Sequence, residues 1–156
     1  MPENISAHIT YREATQSQAA VRRGLDNFPD AQELASMRAL AEAIYEPIVA
    51  HFGLEPYVSS FFRSPRLNAA IGGALGSQHC LGEAIDIDAD VYGGVSNREL
   101  FEYVRTQLPF DQVIWEFGTF DNPDWVHVSY KVGANRGKAT RAVRVNGKTQ
   151  YLRWVA

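Results

Sequence analysis

Two imidazoles and a carboxylate are the residues best suited to chemistry in this sequence. His79 and Asp86 fall in the run Ser77-Gln78-His79-Cys80-Leu81-Gly82-Glu83-Ala84-Ile85-Asp86, and His127 comes 41 residues after Asp86 in Asp124-Trp125-Val126-His127. Two ring nitrogens and one carboxylate oxygen suit zinc and leave a fourth position for water, the pattern of a catalytic rather than a structural site. A zinc ion in such a site lowers the pKa of its water to about 7 and polarises a carbonyl oxygen. Hydrolysis then needs a base for the water proton. Asp124, three residues before His127, is the first candidate, and Glu116 is held in reserve. His8 and His51 stand apart from other potential ligands and read as surface or capping residues, while Cys80 reads as a small apolar filler.

These side chains must be carried to one place by the elements around them. Gly82 lets the chain turn out of the His79 loop into a strand over 84–89, in which Asp86 points to one face and Ile85 and Ile87 to the other. Strands are also predicted over 112–117 and 126–131, the second with His127 between Val126 and Val128, so that Asp86 and His127 share a sheet face. Upstream, Thr15 with Gln18 reads as a capping box for a short helix that Gly24 ends, and Asp30 with Glu33 opens a longer one. The longer helix keeps Leu34, Met37, Leu40, Ala41, Ile44 and Ile48 at helical spacing; Pro47 should kink or shorten it, and Gly53 is its stop. A strand over 57–61 enters the turn Arg63-Ser64-Pro65, a glycine-rich loop covers 72–76, and Ser96 with Glu99 caps a further helix. Asn146-Gly147 marks a C-terminal hairpin around 141–156, since both residues accept positive φ. The expectation is an α+β fold, with N-terminal helices packed on a small, mainly antiparallel sheet, forming a single domain over 1–156.

Composition narrows the function classes. Apolar residues make up 46% and charged residues 21% of the 156 positions, the balance of a globular chain rather than a disordered one. The net charge of −3 argues against a nucleic-acid partner. Arg136, Lys138, Arg141, Arg144 and Lys148 cluster late in the chain and read as a solvated face or hairpin. With Cys80 as the single cysteine, no intramolecular disulfide can form. Neither a secretory signal nor a membrane span is visible. The expected picture is a monomer made in the cytoplasm and released to act elsewhere.

The motifs also carry a resemblance. Ser77-Gln78-His79-Cys80-Leu81-Gly82-Glu83-Ala84-Ile85-Asp86 resembles the S-x-H-x-x-G-x-A-x-D signature of the zinc D-alanyl-D-alanine carboxypeptidases and phage L-alanyl-D-glutamate endolysin peptidases. Asp124-Trp125-Val126-His127-Val128-Ser129 resembles their second signature, and the stretch from Ser59 to Asn68 resembles S-G-Y-R-S-P-x-L-N. The likeness extends upstream through Thr15, Ser17, Ala20, Gly24, Asp26 and Asn27, covering roughly residues 9 to 130. It departs from the family pattern at Ser60 and Phe61, and at Asp124, where many relatives carry glutamate.

The resemblance implies a Hedgehog-like fold, zinc held by His79, Asp86 and His127, and Asp124 as catalytic base. It also implies Arg63 for a substrate carboxylate or developing oxyanion, and Ser77 at the substrate or ordering the ligand loop. The implied activity is hydrolysis of a peptide bond in peptidoglycan stem peptides, by carboxypeptidase or endopeptidase action. The rival reading is a non-catalytic wall-binding module or phage structural component that keeps the fold.

Overall fold

The computed structural model describes residues 3–155. Thr10 forms a capping box with Glu13 to open helix α1 (Tyr11–Thr15), and Ser17 caps α2 (Gln18–Arg23), which Gly24 closes at φ 63°. The capping box expected at Thr15 and Gln18 is thus displaced. Thr15 ends the first helix, where its hydroxyl donates back to the Tyr11 carbonyl at 2.9 Å, and the neighbouring Ser17 does the capping.

Helix α3 (Ala31–Leu40) begins at the expected Asp30–Glu33 box. Pro47 does not break the helical segment. A π-helical turn over Ala41–Tyr45 leads into α4 (Glu46–Phe52), and Pro47 occupies its first turn before Gly53 ends the helix at φ 69°. The wider turn re-phases the backbone, so a residue without an amide hydrogen is accommodated.

Strand β1 (Tyr57–Ser60) is followed by α5 (Pro65–Ala70), a 3₁₀ turn over Gln78–Leu81, β2 (Ala84–Asp88), α6 (Asn97–Gln107), β3 (Gln112–Glu116) and β4 (Trp125–Ser129). The chain closes with β5 (Lys138–Val145) and β6 (Lys148–Arg153). Their turn, Asn146-Gly147, has φ of 52° and 76°, the paired left-handed conformation anticipated for the hairpin.

The six strands form one sheet in the order β1-β2-β4-β3-β5-β6. It is mixed: β5 lies parallel to β3, whereas the other neighbouring pairs are antiparallel. Residues 130–137 carry the chain past β3, so that β5 meets its free edge. A single buried cluster joins Met37, Leu40, Ile44 and Ile48 of the helical segment with Leu100, Phe101 and Val104 of α6. The same cluster takes in Ile85, Ile87, Val113, Trp115, Val126 and Val128 from the sheet. One face of the central strands is thereby committed to the core, and the alternate residues are left for the other. Among the described residues, no helix is long and apolar enough to cross a membrane.

Candidate metal centre and cleft

The register of the central strands brings the predicted ligands together. Asp86 lies opposite His127, and His127 opposite Ile114, so these side chains share the sheet face that alternates away from the core. His79 reaches the same spot from the 3₁₀ turn, whose cap is Ser77; the Ser77 hydroxyl accepts from the His79 N–H at 3.3 Å. Gly82 then turns the chain into β2 at φ 72°, where a Cβ would collide with the Glu33 carbonyl and Met37. Only glycine fits both the backbone conformation and the close approach to α3.

Potential ligand atoms of His79, Asp86 and His127 all lie within 4.8 Å of one another. His127 Nδ1 is 2.9 Å from Asp86 Oδ1, and His79 Nε2 is 3.3 Å from Asp86 Oδ2. His79 Nδ1 lies 2.7 Å from the Phe61 carbonyl oxygen. A carbonyl can only accept, so that ring nitrogen carries the proton and orients the imidazole. Nε2 is left buried without a hydrogen-bond partner, facing a carboxylate that also accepts. A divalent cation between them satisfies both, and the two-nitrogen, one-oxygen donor set fits zinc. Burial opposes ionisation of Asp86, but the adjacent His79 and His127 hold its carboxyl well below the usual range.

The trio opens into a cleft of about 580 Å³. Arg63 and Ser77 line it. The Arg63 backbone amide donates to the His79 carbonyl at 3.2 Å; one guanidinium nitrogen reaches Asn68 at 3.3 Å, and its buried Nε has no partner.

The two candidate bases are placed very differently. Glu116 lines the cleft, is only 7% exposed, and is pushed up to about 7 by burial, with His127 opposing the shift and Asp86 adding to it. Asp124 is exposed and is not among the residues lining the cleft. Glu116, paired with Trp125, shares the face of His127, whereas Asp124 lies just before β4 and outside the strand ladder. Asp124 was the first candidate from the sequence and Glu116 the reserve; Glu116 is the one that lines the cleft.

Sequence reasoning also missed the cleft's second wall. Lys138, Arg144, Thr149 and Tyr151 of the C-terminal hairpin line it. The late basic cluster is therefore divided: Arg136 pairs with Asp111, Arg141 lies over Trp115, Phe120 and Trp154, and Lys138 and Arg144 face the cleft. Phe61, whose carbonyl orients His79, was seen only as a departure from a motif. The remaining histidines lie elsewhere, His8 against Glu46 at 2.6 Å and His51 stacked on Tyr103.

The family model described as Peptidase M15 matches residues 7–129 of the chain. No curated protein sequence matches the chain.

Proposed function

Because the chain belongs to the peptidase M15 family, we propose that it is a zinc peptidase that hydrolyses an amide bond within the stem peptides of bacterial peptidoglycan. The observation that carries the metal is the buried, unpartnered His79 Nε2 facing Asp86 beside His127. Bound there, zinc supplies Lewis acidity, polarising a carbonyl oxygen and lowering the pKa of water.

The protein's own groups do the rest. Glu116 holds and moves the proton: buried in the cleft, it takes a proton from the attacking water and returns it to the departing amine. We assign this role to Glu116, with Asp124, at the entry to the His127 strand, as the alternative base. Arg63, with an unpartnered Nε at the cleft, binds a substrate carboxylate or the developing oxyanion. Ser77 holds the His79 turn in position.

Cutting inside a chain is favoured over removal of a terminal residue. A second cavity of about 720 Å³ shares Arg63, Asp86 and Trp125 with the first, so two cavities adjoin at the ligand carboxylate. A peptide can extend past the site in either direction.

Purified muropeptides incubated with the protein, with and without a chelator, test the reading by mass spectrometry. New amino termini within the stem, absent when chelator is present and restored by zinc, are expected. Unchanged muropeptides in both samples, with protein that retains zinc, would refute it. A non-catalytic wall-binding role would instead give sedimentation with sacculi and no cleavage, but the buried acid at Glu116 speaks against it.

A further inference from the structure

The family match ends at residue 129, yet one wall of the cleft is built by residues 138–151. This wall is firmly attached. Asp111, fully buried immediately before β3, accepts from the Arg136 backbone amide and from two guanidinium nitrogens at 2.8–3.0 Å. Its carbonyl takes the Lys138 amide at 2.9 Å, and its carboxylate also receives Gln78 from the ligand turn at 3.2 Å. The hairpin is thus fixed to the element that carries His79.

The register then decides what this wall presents. Gln112 pairs with Lys138 and Glu116 with Ala142, so the cleft face of β3 continues onto β5 through Lys138, Thr140, Ala142 and Arg144. The small Ala142 leaves room beside Glu116. At its far end Arg144 lies 4.6 Å from the ring centroid of Phe117. Phe117 itself is pinned at φ 55° by donating to the Ala142 carbonyl at 3.0 Å. Contact with a fixed ring restrains the guanidinium and leaves its N–H groups to donate.

Arg63, Lys138 and Arg144 all line the cleft, and among the described residues none has a carboxylate within ion-pairing distance. Asp86 and Glu116 line the groove at the ligand trio, whereas the hairpin side presents Lys138 and Arg144 without acidic partners, a wall suited to negative charge. Lys138 and Arg144 stand six positions apart on one extended strand, about 20 Å at the usual rise. They therefore meet different parts of an elongated ligand.

We infer that the β5–β6 hairpin is the specificity wall of this peptidase, with Lys138 and Arg144 selecting peptides that carry free carboxylates away from the scissile bond. The inference rests on the peptidase reading for its substrate, but its test does not require turnover.

The probe is a synthetic stem peptide with the free α-carboxylate of its D-glutamyl residue, compared with the same peptide amidated there. Binding is followed by tryptophan fluorescence, to which Trp125 in the cleft contributes. The acid should bind about ten-fold more tightly than the amide, the scale of a single charge-assisted contact. That preference should shrink as salt is raised. In K138A/R144A the preference should fall below about two-fold. Both side chains are exposed, so the variant should keep its melting temperature, and R144E offers a second check by reversing the preference.

Equal affinity for the two peptides, or a preference that survives in the double variant, would overturn the inference. Selective binding without cleavage would leave the wall standing and remove the catalytic reading. Cleavage without selectivity would do the reverse.

Discussion

Asp124 donates its backbone amide to the Glu116 carbonyl at 2.9 Å, and of the two it is Glu116 that lines the cleft. The two acids are neighbours through the sheet ladder and occupy unlike environments: one is buried beside the ligand trio, the other exposed. Replacing each separately distinguishes them. Glu116→Gln should retain zinc and lower kcat by about 10²–10⁴-fold, the usual contribution of a positioned base. Asp124→Asn should stay within a few-fold of the parent. Zinc content measured alongside kcat checks the assignment, and the opposite ranking would return the role to Asp124.

The raised pKa of Glu116 has a stability signature. Burial moves the carboxyl from its ordinary 4.5 to about 7, so the folded state holds its proton more tightly than the unfolded chain. Its effect on stability is therefore most favourable below pH 4.5 and is lost as pH rises through 7. Urea unfolding of metal-free protein at pH 5 and pH 8 should show the parent losing stability relative to Glu116→Gln by up to about 3 kcal/mol. Chelator is required because a cation nearby would favour the charged carboxylate. A pH-independent difference between the two proteins would contradict the buried, protonated acid.

Much of the site could be read from alternation and punctuation. Ile85 and Ile87 around Asp86, and Val126 and Val128 around His127, set both ligands on the non-core face. Gly82 signalled the turn that delivers His79. Caps at Asp30 and Ser96 and the Asn146-Gly147 hairpin were legible for the same local reasons. What escaped depends on tertiary placement. Nothing local to residues 138–151 states that β5 will dock parallel to β3, so its cations read as solvated. Pro47 read as a helix breaker because a π-helical turn is a response to packing and leaves no clear sequence mark.

Gly82 should tolerate no side chain. Gly82→Ala combines a positive φ with a collision against the Glu33 carbonyl. It should cost about 2–4 kcal/mol and weaken zinc retention, because relief of the clash displaces the His79 turn. Thermal unfolding and metal analysis on one preparation test both effects, and a stable, zinc-replete variant would show the contact to be compliant.

Asp111 should matter to both walls of the cleft. Asp111→Ala leaves the Arg136 and Gln78 side chains without their shared acceptor. Since Arg136 is open to water on its outer side, a loss of about 2–3 kcal/mol is expected. Amide hydrogen exchange should accelerate across the start of β5 before it does in β2 or β4. Uniform acceleration throughout the sheet would show that Asp111 supports the whole core, with no special hold on the hairpin.

The central claim is that His79, Asp86 and His127 grip a single zinc ion with a position left open. X-ray absorption at the zinc edge of the purified protein tests this most directly. The account predicts a nitrogen and oxygen shell at about 2.0–2.1 Å with two imidazoles and no sulfur, lost in His79→Ala. A sulfur ligand from Cys80, or a shell unchanged in His79→Ala, would contradict it.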